Sequence, residues 1–192
     1  MDFEVRKFRR AGILELWWDK DLETFQGDKK ALKTVQEYLA SLEDQIKNGR
    51  GLFLVGANGV GKTYLTTEVL KEAIRQGYTV QFASLGGLVE MFTAGWHSET
   101  QKRNFQRKIR NVQMLAIDDI GKEYRGGSGM SEIVFDNLIR YRVQRKKTTL
   151  LSSNIAPKDL KGIYGDSVAS LLNECVKIVK VEGEDFRRKL WK

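Results

Sequence analysis

One cysteine and one histidine stand in 192 residues, and each scarcity removes a class of protein. A lone thiol, Cys175, cannot form an internal disulfide, so nothing here asks for an oxidising compartment. It lies in an apolar run and reads as a small buried hydrophobe. His97 has no cysteine or second histidine near it, which argues against a zinc site. No apolar run is long enough to span a bilayer. Charges begin at Asp2, Glu4, Arg6 and Lys7, which is not a signal-peptide pattern, so the cytoplasm is the expected location. Internal repeats and long linkers are missing too, and a chain of this length favours one domain with its own core.

What the chain has in excess is positive charge. The formal net charge is +8. A balance of that size points to an anionic partner, of which nucleic acid is the commonest; the plainer alternative is that lysines only keep the protein soluble.

Along the chain, residues 1–27 mix basic and aromatic residues without a strong period. Residues 28–49 read as a helix, with Leu32, Val35, Leu39, Leu42 and Ile46 at three- and four-residue steps. "GLFLVG" (51–56) reads as a buried strand, and Lys62 to Gln76 as a helix capped by Gly77. Further strands are expected at 78–84, 112–121, 148–154 and 176–182, with helices at 86–96, 100–110 and about 130–145. Alternation of this kind predicts an α/β fold, a parallel sheet with helices on both faces. The first, third and fourth strands are continuous apolar runs and should be central, whereas the second and fifth carry polar residues and should be edges. That texture fits the order 5-1-4-3-2.

"GANGVGKT" (56–63) carries the chemistry. It follows a predicted strand and opens a predicted helix, the setting of a P-loop. Gly56, Gly59 and Gly61, with Ala57, Asn58 and Val60 between them, let backbone N–H groups converge on phosphate oxygens. The helix N-terminus, including Tyr64, faces the same anion. Lys62 can reach the β- and γ-phosphates of ATP or ADP, and Thr63 can offer its hydroxyl to Mg²⁺. Asp118 ends an apolar strand and is assigned to the Mg²⁺ shell. Asp119 is placed to act as general base on the attacking water, or else it forms a turn before Gly121. Asn154 ends the strand expected between the loop strand and the aspartate strand; its amide can donate to the γ-phosphate and accept from the water, or else it is a turn residue. Lys102, Arg103, Arg107, Lys108 and Arg110 crowd one predicted helix, and like charges so stacked ask for an anion, with DNA phosphate preferred over a solvated face. Trp96 and Phe105 could stack on bases, although core packing suits each better.

The ordered set "RRAGI…LETF", "GANGVGKT", "IDDIGKE", "FDNLIRYR", "SSN" and "GEDFRRK" resembles the AAA+ ATPase domain of bacterial and phage replicative helicase loaders, over about residues 9 to 190. The IS21-type transposition helper ATPases share many of these marks. The resemblance implies a P-loop NTPase without a C-terminal helical lid, and assigns Lys62, Thr63, Asp118, Asp119 and Asn154 the roles above. It also implies that Arg187 lies near the nucleotide, that Arg142 lies at a subunit seam, and that helices between the second and third strands line a single-stranded DNA path. Partners implied are the replicative helicase, single-stranded DNA and further copies in a spiral or filament. Leu171 stands where the family usually has an arginine finger, so hydrolysis is expected to be weak or to use another cation such as Arg142. The chain is expected to be one ATPase domain over 1–192, with 1–50 an arm and helix leading into the core. No separate helicase-binding domain is expected, and "LWWDK" or "FRRKLWK" would offer another surface. Trp17 and Trp18 could cover the adenine or the core. A nucleoside kinase and a non-hydrolysing binding module are the readings from other classes.

Overall fold

The computed structural model describes residues 3–121 and 129–186. Five parallel strands lie in the order β2-β3-β4-β1-β5: β1 Gly51–Val55, β2 Val80–Ser84, β3 Met114–Asp118, β4 Thr148–Ser153 and β5 Val176–Lys180. This is the expected order. β1 and β4 are buried along their whole length and β3 along all but its last residue, whereas the edge strands are only partly covered: β2 buries Val80 and Phe82, and β5 buries Val176 and Val179. A strand covered on both faces favours apolar side chains, and the polar ones that β4 does bury, such as Thr149, Ser152 and Ser153, are hydrogen-bonded.

Successive residues of each strand feed two cores. Leu52, Leu54, Ala116 and Leu150 pack beneath α1 (Phe3–Arg10), α2 (Lys29–Ala40), α3 (Leu42–Lys47) and α4 (Lys62–Arg75). Phe53, Val55, Ile117 and Leu151 pack on the other face, with α5 (Leu85–Ala94), α6 (Glu99–Phe105), α7 (Met130–Val143) and α8 (Pro157–Cys175). Cys175 is half-buried against this second core.

Three elements depart from expectation. The helix expected over 28–49 is two helices, parted at Ser41, whose N–H bonds back to Tyr38 and whose side chain also bonds into the preceding turn. The basic helix is α-helical only to Phe105 and continues as one π-type turn over Gln106–Arg110. Residues 157–175, for which the sequence analysis offered no element, are helical but kinked at Gly165, whose φ of +81° and ψ of 166° leave the helical region.

Residues 3–25 are anchored by a buried ion pair on α4. Lys71 is wholly buried, 2.8 Å from Glu68, and its ammonium donates to the carbonyls of Trp17 and Lys20. Burial pushes the Glu68 carboxyl pKa up, and Lys71 opposes that shift. Trp17 and Trp18 pack against the first core, and Trp18 Nε1 donates to Ile13 O at 2.8 Å. Asp28 joins the two ends of the chain. One carboxylate oxygen accepts from Lys30 and Ala31 N–H, capping α2, and the other accepts from Glu182 N–H at 2.9 Å. Its pKa is lowered despite desolvation, because three backbone N–H groups favour the charged form.

The seam role expected for Arg142 is overturned. Its side chain is fully enclosed and cannot reach another subunit. The guanidinium donates to Thr149 Oγ1 at 2.9 Å and to the carbonyls of Ile109 at 3.0 Å, Val112 at 3.1 Å and Thr148 among others, tying the approach to β3 to the start of β4. Burial pushes its pKa down to about 9, still above neutrality. It therefore cannot stand in for an arginine finger. Replacing it, Arg142→Leu, strands several buried carbonyls and should destabilise the fold by about 3 kcal/mol, read as a drop in the urea midpoint.

Candidate functional site

The loop between β1 and α4 forms because its glycines take backbone conformations that other residues resist. Gly59 has φ +78° and Gly61 φ +101°. Gly61 is also hemmed in: a Cβ there would sit 2.6 Å from the Phe25 ring. Gly61 is the N-cap of α4 and offers no side chain to the first turn, so the N–H groups of the helix start are left for an anion. Lys62 lies over the loop, its ammonium donating to Gly56 O at 2.8 Å and Ala57 O at 2.7 Å. Val60 is buried beneath, whereas Ala57 and Asn58 are exposed at the rim.

Thr63 Oγ1 donates to Asp118 Oδ2 at 3.0 Å. An oxygen from the first turn of α4 and one from the tip of β3 thus meet beside the loop, an arrangement that suits the shell of a divalent cation bridging to phosphate. Ser152 donates its hydroxyl to the other oxygen, Asp118 Oδ1, and its Oγ accepts from Asp119 N–H at 3.2 Å. Asp119 sits at φ +60°, a left-handed conformation that aspartate tolerates better than most residues. The turn is closed by Ile120 N–H to Ser152 O at 3.0 Å and by Ser153 Oγ to Ile120 O at 2.7 Å. Asp119 therefore occupies a turn immediately after β3. Asn154 is exposed one residue beyond β4; Ser153 O accepts from Gly56 N–H at 3.1 Å, which brings Asn154 alongside the first loop residue. Lys62, Thr63, Asp118, Asp119 and Asn154 thus converge at the carboxyl ends of three adjacent strands.

Two further segments close on the loop. The Phe25 ring lies against Gly61 and, 5.2 Å between centroids, against Tyr64. The Tyr64 hydroxyl donates to Asp21 O at 2.6 Å and meets Thr24 Oγ1 at 2.9 Å, so Tyr64 holds the arm to α4 and its own hydroxyl faces away from phosphate duty. Past β5, Phe186 N–H donates to Gly59 O at 3.1 Å, and a Cβ on Gly59 would meet the Asp185 carboxylate. Arg187 lies outside the described residues.

Sequence reasoning missed Ser152, Phe25 and Asp185. Ser152 stood in the quoted "SSN", and its position opposite Asp118 follows from extending the parallel register of Ile117 with Leu151. Phe25 and Asp185 likewise stood in the quoted "LETF" and "GEDFRRK", but nothing in their local spacing shows that they reach the loop. Leu171, at the expected finger position, packs against the second core. The five basic residues do not form one strip. Lys102, paired with Glu99 at 3.3 Å, and Arg110 line a hollow with Trp96, which is 58% exposed. Arg107 and Lys108 line a different hollow. Arg103 is exposed, and the guanidinium of Arg110 lies 3.9 Å from the centre of the Tyr141 ring. A π-type turn holds more residues than an α turn, which rotates these side chains off the expected face. Phe105 is core, stacked edge-on with Phe92.

A family model described as IstB-like ATP binding protein matches residues 5–191. The chain belongs to the IstB-like ATP-binding family. It is similar to the replicative helicase loader DnaC of Buchnera aphidicola subsp. Schizaphis graminum, 23% identical over 169 residues, 85% of this chain and 67% of that one. It is also similar to the IS21 putative ATP-binding protein of Pseudomonas aeruginosa, 27% identical over 184 residues, 90% of this chain and 66% of that one. The chain thus spans about two thirds of the length of both relatives. Among solved structures, a crystal structure of the DnaC helicase loader superposes with a TM-score of 0.78 at 24% identity, over 88% of this chain and 100% of that one, and shares the AAA+ P-loop fold. In this IstB-like chain the cradle of backbone N–H groups, Lys62 and the Thr63–Asp118 pair fit a nucleoside triphosphate with its cation. Substituting Asp118→Asn should weaken binding of a fluorescent ATP analogue about tenfold in the presence of Mg²⁺ and leave binding in EDTA nearly unchanged, measured by titration.

Proposed function

We propose that this chain is an ATP-controlled loader that places a ring-shaped replicative DNA helicase on single-stranded DNA. The observation that carries the reading is the meeting of the phosphate loop, the Asp118–Asp119 turn and Asn154 at neighbouring strand tips, in a member of a family whose relatives include a helicase loader. Lys62 would leave the carbonyls of Gly56 and Ala57 for the β- and γ-phosphates. Thr63 and Asp118 would hold Mg²⁺, which supplies charge neutralisation across the phosphates when bound. Asp119 would accept the proton of a water attacking the γ-phosphorus, as the bond from that phosphorus to the bridging oxygen of ADP breaks. Asn154 would orient that water and report which nucleotide is present. Phe25, packed on Gly61 and Tyr64, would wall the base. The apolar Leu171 supports slow turnover, suited to a switch rather than a motor. Lys102, Arg103 and Trp96 stand on the segment between β2 and β3 and support a single-strand path there.

A second reading, a transposition helper ATPase of the IS21 type acting on duplex DNA, is supported by the match to the IS21 ATP-binding protein over 90% of this chain. Capture of the host's replicative helicase, compared with ATP and with ADP, separates the two. The loader reading expects nucleotide-dependent capture, with turnover altered by single-stranded DNA. Asp119→Asn should keep ATP binding within about threefold and lower turnover by a hundredfold or more, the scale of a general-base loss. Nucleotide-independent capture that survives Lys62→Ala would refute the switch.

A further inference from the structure

The end of the sheet opposite the loop carries a feature that no nucleotide chemistry uses. Two hollows lie there, beside the segments that lead into β2, β3 and β4, and they share Tyr78. Lys7 and Arg10 of α1 face Arg107 and Lys108 across one hollow. Lys47 of α3 faces Arg145, Lys146 and Lys147 across the other. Against these eight cations the linings contain one acid, Glu43. None of the eight has a carboxylate within ion-pair distance among the described residues. Seven are exposed long chains from α1, α3, the π-type turn and the turn after α7; Arg10 and Arg107, for instance, come from segments about a hundred residues apart. Like charges are brought together by the fold here, at a cost in repulsion that an anion would relieve. The field is felt by Lys147, whose pKa is lowered by burial and then by Arg142 and Arg145.

We propose that this base of the sheet is a docking surface for the phosphate backbone of duplex DNA. The choice of duplex rests on what lines the surface. A single strand is held largely by bases stacked on open aromatic rings. Here Tyr78 is half-buried between the hollows, and the neighbouring Tyr141 ring is covered by the guanidinium groups of Arg110 and Arg145, at 3.9 and 4.0 Å. Cations on two walls with no free stacking ring suit the paired phosphate rows of a double helix, read without sequence. The surface lies at the opposite ends of the strands from the P-loop, so duplex binding is independent of nucleotide.

The test is titration of a labelled random-sequence duplex, and of a single strand of the same length, over a range of salt concentrations. The variants are Arg10→Gln with Lys108→Gln, and Lys47→Gln with Lys146→Gln; the control is Lys29→Gln with Lys33→Gln on α2. Each test pair should weaken duplex binding roughly tenfold and flatten the salt slope by about 1.8, the loss of two phosphate contacts. The control and Lys62→Ala should bind duplex as the parent does, which keeps this test separate from the loader reading. Thermal melts and binding of an ATP analogue check that the variants fold. Unchanged duplex affinity and slope in both test pairs would overturn the proposal. So would a single strand that binds as tightly as duplex and is lost in parallel, or polyglutamate competing as well as duplex, which would point to an acidic protein instead.

Discussion

The Asp118 carboxylate holds the candidate site together. One oxygen takes the Thr63 hydroxyl from the first turn of α4, and the other takes the Ser152 hydroxyl from β4. Three chain segments distant in sequence are thereby pinned at one point. Ser152 also accepts the Asp119 N–H and so positions the left-handed turn that presents the second acid. A divalent cation entering here would meet oxygens already gathered, with little reorganisation left to make. The same carboxylate that would bind metal therefore also sets the geometry of the residue proposed to activate water.

Around that point the fold attaches its two chain ends to the phosphate loop. The arm reaches it through Phe25 on Gly61 and through the Tyr64 hydroxyl, and it is anchored beneath by Lys71, a buried cation satisfied by Glu68 and by arm carbonyls. The segment after β5 reaches it through Phe186 and Asp185, and Asp28 ties that segment to the start of α2. A nucleotide that displaces Lys62 from the carbonyls of Gly56 and Ala57 acts on a loop held by both segments. That gives a physical route from nucleotide state to surfaces away from the site, which a switch requires.

Much of this was legible beforehand. The unbroken apolar run in 51–55 marks a central strand because both faces are covered, and the polar positions of Gln81 and Lys177 mark edges; 148–153 is just as buried although only Leu150 and Leu151 in it are apolar. The P-loop reads directly because its spacing is set by phosphate geometry within one short segment. Asp118 was legible because an acid ending a buried strand has no packing reason to be there. What was not legible depended on encounters between distant segments. Arg142 looked like a seam residue from its place in "IRYR", yet it is a structural staple whose partners are backbone carbonyls, and carbonyls leave no mark in sequence. The basic run reads as one face only on an unbroken α-helix; the chain instead makes a π-type turn, within which Ile109 is buried in the core. Phe25 and Asp185 reach the loop only through the path of the chain ends.

By itself the sequence determined the sheet order, the phosphate loop and the identity of the acid beside it, since each is written in local spacing and in the pattern of burial along single strands. Only the tertiary structure decided that Ser152 completes the Asp118 cluster, that Arg142 is internal, and that cations from α1, α3, the π-type turn and the turn after α7 gather at the base of the sheet. Those outcomes arise where segments meet that are far apart along the chain, and local spacing carries no record of which segments will be neighbours.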